Sequence, residues 1–112
     1  MPRTATTKVR SNVKCFEHIP NVGKSIAEDF RKLGIPSPSD LAGKDPYAMY
    51  DEMCRITGQR QDPCLLDVFI AVVRYMEGGP KLPWWKFTAE RKRHLAARAG
   101  DRAKSIRIHR AD

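Results

Sequence analysis

The run from Pro63 to Met76, PCLLDVFIAVVRYM, constrains this chain more than any other feature. Wound as a helix, it places Leu65, Leu66, Val68, Phe69, Ala71, Val72, Val73, Tyr75 and Met76 on nearly every face. A helix that is apolar all round is surrounded by other elements, so the rest of the chain must be arranged about this one. The run is well short of the roughly 20 apolar residues that cross a bilayer, and no other stretch approaches that length. A membrane span is therefore not expected. The start of the chain, MPRTATTKVRSNVK, has basic residues with no apolar segment behind them, which is not a secretory signal. A cytoplasmic location is the expectation.

The punctuation around this helix is clear. Asp45-Pro46 and Asp62-Pro63 each put a good N-cap before a proline at the first helical position. Gly34, Gly58 and Gly78 stand where helices stop on a residue that tolerates positive φ. These signals predict helices near 24–33, 46–57 and 63–77, a shorter one near 11–18 before them, and a short turn at Ser39-Asp40-Leu41. On the helix from Pro46, the side chains of Tyr47, Met49, Tyr50, Met53 and Ile56 form a wide apolar face for the central helix to pack on. Ile106-Arg107-Ile108 is the one weak hint of a strand. The expected fold class is all-α: a compact bundle of about five short helices in one domain over residues 12–87. A basic arm (residues 1–11), expected to be disordered, and a basic tail (88–112), helical or disordered, flank it; a helix in the tail would run as far as Ala99 and stop at Gly100, with disorder after it.

The charge is unevenly spread. Four basic and no acidic residues precede residue 15; residues 15–80 hold seven basic against ten acidic; residues 81–112 hold ten basic against three acidic. A mildly acidic core between basic flanks is an electrostatic footprint for a polyanion. Cys15, Cys54 and Cys64 make no CxxC pair, and their odd number argues against a disulfide framework. A Cys15/His18 pair could bind zinc or form a nucleophile–base couple, but neither further ligands nor an orienting group accompany it, and His94 and His109 lack ligand spacing. Buried or idle thiols are the favoured reading. No metal, cofactor or small-molecule substrate is expected.

The segment FEHIPNVGKSIAEDFRKLGI, residues 16–35, carries the functional signal. It resembles the helix-hairpin-helix motif, whose turn has two glycines separated by one apolar residue. Here the turn is Ile19-Pro20-Asn21-Val22-Gly23, followed by Ala27, Phe30, Leu33 and Gly34-Ile35. Val22 is expected to point between the two helices, Gly23 to be the tightest point of the turn, and Ala27 to be small where the helices approach. Amides at a helix N-terminus carry partial positive charge and unsatisfied donors, which suits a phosphate oxygen. The resemblance implies that Asn21, Val22, Gly23, Lys24 and Ser25 contact one nucleic-acid phosphate. Asn21 stands where the motif has its first glycine; it tolerates the left-handed conformation, and its side chain is expected to crowd the phosphate.

The likeness then widens. The hairpin, the short Asp40-Leu41 turn, the Asp62-Pro63-Cys64-Leu65 start of the central helix and the Trp84-Trp85 pair resemble the bacterial pathogenicity-locus family over roughly residues 12–87. Some members of that family carry the label of mitomycin resistance. A more distant likeness is to the TfoX C-terminal domain, through the same hairpin and its leucine-glycine-isoleucine stop.

These readings converge on sequence-independent binding of DNA, most simply duplex. Further contacts are expected from Lys8, Arg10, Lys14, Trp84, Trp85, Lys86, Arg91, Lys92 and Arg93. Trp84-Trp85 has two readings: a stacking platform among basic groups, or one ring closing a small core while the other covers it, which is favoured. The alternative function is a protein-interaction module without DNA contact. An enzyme is not expected, because no carboxylate pair or lysine nucleophile stands out. At 112 residues the chain is also expected to be too short to add the second subdomain with which glycosylases of this motif hold a flipped base.

Overall fold

Asp45 and Asp62 start the two longest helices in the way their sequence predicts. The Asp45 carboxylate accepts from the Tyr47 amide and the Asp62 carboxylate from the Cys64 amide, both at 2.9 Å, with Pro46 and Pro63 opening the helices behind them. The computed structural model describes residues 9–10 and 12–98. Within it, α1 spans Lys24–Lys32, α2 Pro46–Thr57 and α3 Pro63–Met76, and α4 is helical over 88–98. Three single 3-10 turns punctuate these, at Phe16–His18, Pro38–Leu41 and Trp84–Phe87. The fold is all-α, with no strand among the described residues.

α3 is the hub. Every residue from Leu66 to Val73 is buried, around the whole circumference. Phe69 packs on Phe30 of α1 at 5.7 Å between ring centres, and Phe30 on Phe16 at 5.2 Å. Met49, Tyr50 and Met53 of α2 close another side, and Leu41 and Phe87 reach it from their 3-10 turns. The apolar face of α2 is narrower than the sequence suggests: Tyr47 is half-buried and Ile56 is exposed. The helix expected near 11–18 is only the Phe16–His18 turn.

The end of α3 is capped twice. Gly78 (φ 95°) and Gly79 donate back to the carbonyls of Tyr75 and Arg74, and a Cβ on Gly79 would stand 2.7 Å from the Arg74 oxygen. The Arg10 guanidinium then bonds the carbonyls of Tyr75 (2.8 Å) and Gly79 (2.7 Å) and lies 4.1 Å from the Tyr75 ring centre. A cation at this negative helix end is favourable. It ties the start of the described chain to the core.

Residues 88–98 are no free tail. Asp67, fully buried in the middle of α3, accepts from Arg91 Nε at 2.8 Å and from the Thr88 hydroxyl at 2.6 Å. Glu90 pairs with Arg74, Arg98 with Asp51, and the His94 ring stacks on Tyr47 at 3.6 Å. Packing thus continues past residue 87, where the core was expected to end. Lys8, Gly100 and the Ile106–Ile108 segment lie outside the described residues.

Removing one partner of a buried ion pair leaves the other charge uncompensated, at a cost of about 3–5 kcal/mol. Arg91→Ala should therefore lower the urea midpoint by that equivalent, and deleting everything after residue 87 should do at least as much. A midpoint unchanged by both would show that Asp67 does not need its α4 partner.

Candidate nucleic-acid interface

The turn leading into α1 is built by one left-handed residue and one uncapped helix start. Asn21 has φ 73°, the sole positive-φ non-glycine among the described residues. The Val22 side chain is buried, as its position in the turn requires, and its amide is consumed by the Ile19 carbonyl at 3.1 Å. Val22 N–H is therefore not a phosphate donor, contrary to the sequence expectation. Gly23 is the N-cap of α1 in an extended conformation (φ −103°, ψ −169°), and it brings no side chain to the first-turn amides. A Cβ there would meet nothing within 4 Å, so Gly23 is not the tight point of the turn. The conformational demand falls on Asn21 instead, and Ala27, with no exposed surface, meets the packing demand.

Gly23, Lys24 and Ser25 are all exposed, and no acid lies in the first turn of α1. α2 and α3 differ, because their aspartate caps already satisfy an amide and would repel an anion. Glu28 and Asp29 follow one turn further along α1. Burial pushes the Asp29 carboxyl above its ordinary value, and Lys32 opposes the shift.

The Asn21 side chain does not reach toward the space before α1. Its Nδ2 donates to the Leu82 carbonyl at 2.8 Å and its Oδ1 accepts from the Trp84 amide at 3.1 Å. This two-ended bridge fastens the segment before Trp84 to the turn, and it replaces the crowding expected from the sequence. Beside the bridge, Pro20, Asn21, Lys81, Leu82 and Pro83 line a cleft of about 430 Å³. Trp84 is half-buried against the core, while Trp85 is 60% exposed and meets it edge to face at 5.7 Å. The aromatic side chain that is fully inserted here is Phe87.

The structure sorts the expected basic contacts. Lys14, Lys86, Lys92 and Arg93 are exposed. Arg10 and Arg91 are spent inside the protein, on the end of α3 and on Asp67, and the hydrogen bond to Asp67 raises the Arg91 pKa above its ordinary value. Lys81, exposed beside the bridge, belongs with the first group. Among the described residues, no group of three or more His, Cys, Asp or Glu side chains could hold a metal ion. Cys15 and Cys54 are half-buried free thiols, and Cys64 is exposed. No described helix is long and apolar enough to cross a membrane.

Comparison with known proteins shows the family. Residues 9–93 match the Cdd1 pathogenicity-locus family. The chain belongs to that family. The stretch runs from the strand of chain that carries Arg10 to the turn of α4 that carries Arg91, so both internal anchors lie within it. Among curated proteins, the family member is similar to the mitomycin resistance protein McrB of Streptomyces lavendulae. The two are 47% identical over 83 residues, covering 74% of this chain and 79% of the relative. No solved structure matches.

The bridge gives a test of the local structure. Asn21→Gly keeps the left-handed turn but removes both bridging bonds, and should cost about 1–3 kcal/mol. Asn21→Ala adds left-handed strain of roughly 1–2 kcal/mol. Amide exchange at Trp84 should quicken in both variants. Exchange at wild-type rates would mean that the bridge does not hold this segment.

Proposed function

We propose that this family member binds DNA through its backbone, without reading sequence, and that the uncapped N-terminus of α1 is the phosphate contact. The observation that carries this reading is the start of α1. Its N-cap is a glycine whose missing Cβ the fold does not require, no side chain caps its first turn, and Gly23, Lys24 and Ser25 are all exposed. A phosphate oxygen would take the amides of Gly23, Lys24 and Ser25, a charge-assisted bond from the Lys24 ammonium, and a bond from the Ser25 hydroxyl. On this reading the turn at residues 19–23 is the hairpin of a helix-hairpin-helix whose first helix is reduced to one 3-10 turn.

One phosphate is a weak anchor, so the exposed cations Lys14, Lys81, Lys86, Lys92 and Arg93 supply further attraction. The role is binding rather than catalysis. A protein-interaction module without DNA contact is the second reading, favoured by the net acidity of residues 15–80, which suits a basic partner. The name of the Streptomyces relative attaches mitomycin resistance to that protein; no residue here is assigned a mitomycin-binding role.

Two substitutions separate the readings in a fluorescence-anisotropy titration at several salt concentrations. Lys24→Glu should weaken binding to every sequence alike and reduce the slope of log affinity against log salt by about 1. Gly23→Ser supplies a side-chain cap that competes with phosphate. It should keep stability within a few tenths of a kcal/mol, or raise it, while lowering affinity. Binding that survives both changes would remove α1 from the interface, and no binding at low salt would leave the protein-partner reading.

A further inference from the structure

We infer that Trp85 is a stacking platform for an unpaired base, so that the surface beside α1 takes single-stranded or locally unpaired DNA in preference to an intact duplex. This deepens the backbone-binding reading and rests on it.

Three observations point to this substrate class. The first is exposure: at 60%, Trp85 is the most exposed large hydrophobic residue among those described, beside Ile56 and Val9 at 41% and 37%. Its neighbour Trp84 already packs on the core and Phe87, two residues on, is buried in it, so the fold itself does not need the second indole. An indole left in water costs hydrophobic free energy that a stacked base would recover.

The second is support. Trp85 sits in the short 3-10 turn Trp84–Phe87, which is anchored at its start by the Asn21 bridge and at its end by buried Phe87. The edge of the Trp84 ring pair, 84° between planes, buttresses the ring. A ring held in this way loses little freedom on stacking.

The third is placement and charge. Asn21 stands two residues before Gly23, and its side chain bonds the residue before Trp85. Chain geometry alone then keeps the Cα atoms of Gly23 and Trp85 within about 20 Å of each other. Lys86 follows Trp85 directly in sequence, Lys81 stands four positions before it in the cleft beside the bridge, and Lys24 opens α1, all exposed. A strand held by a phosphate at α1 can therefore bring a base from only a few nucleotides away to Trp85. In an intact duplex the faces of internal bases are occupied by their stacked neighbours, so the indole gains a partner only where a base is unpaired. Alternating cations and an aromatic face are the elements by which single strands are bound without sequence preference.

The test uses the full chain with three labelled probes: an oligothymidine of about 20 nucleotides, a duplex of the same length, and an abasic strand with backbone and no bases. Trp85→Ala should lose about 5- to 100-fold on oligothymidine, with duplex and abasic affinities held within about twofold. Trp85→Phe, which keeps an aromatic face, should recover most of the loss. Because Trp85 is exposed, thermal melts of both variants should match the parent. Lys24→Glu should instead weaken all three probes together. If Trp85→Ala binds every probe like the parent, the indole serves something else, such as a protein partner, and the stacking proposal is overturned while the backbone reading stands. An equal loss on all three probes overturns it as well. If the unsubstituted chain binds none of them, both readings fall.

Discussion

A carboxylate with no access to water sits in the middle of the most apolar helix of this protein, and the arrangement of the C-terminal third follows from it. A carboxylate buried among Leu66, Val68 and Phe69 is costly unless a cation and hydrogen bonds compensate it. Arg91 and Thr88 supply the partners, and to do so the chain must return across α3 after Gly79, cross its face with the Trp84–Phe87 turn, and lay α4 alongside. The pair adds little net stability relative to an apolar substitute, but it fixes which face of α4 meets the core. Lys92 and Arg93 are consequently turned outward while Arg91, adjacent in sequence, is turned in.

The candidate interface is a by-product of the same return. Once the chain passes back over the core, its segment at 82–84 lies against the turn before α1, and the Asn21 side chain ties the two together. The left-handed conformation of Asn21 and its bridge are thus one device: a glycine at this position would make the turn as easily but could not hold the second segment. The outcome is that two segments about 60 positions apart, the turn before α1 and the stretch before Trp85, are held together.

Much of this was legible in the sequence. The two Asp-Pro starts, the glycine stops and the all-round apolar α3 are local signals whose physics does not depend on the partner, and the structure follows them closely. The family was legible too, from the segment at 16–35 and the start of α3. What could not be read were long-range polar contacts. The partners of Asn21 are backbone atoms more than 60 residues away, which no side-chain pattern announces. Arg10 and Arg91 looked like free cations because charge alone does not reveal an internal partner. For Arg91 a signal did exist: an aspartate at position 67, inside an otherwise apolar run, requires a buried cation from elsewhere. Gly23 misled in the other direction, since a glycine in a turn suggests crowding, whereas here its Cβ would have had open space.

That open space is the centre of the proposed function, since the fold leaves the start of α1 bare where it caps α2 and α3 with aspartate. The most direct measurement is a nitrogen-15 amide NMR titration of the full chain with single-stranded DNA at low salt. The largest shifts should fall at the backbone amides of Gly23, Lys24 and Ser25 together with the Trp85 indole N–H, while the Val22 amide, already bonded to Ile19, should move little. Shifts confined to the exposed face of α4 around Lys92 and Arg93, with the start of α1 unmoved, would contradict the proposal.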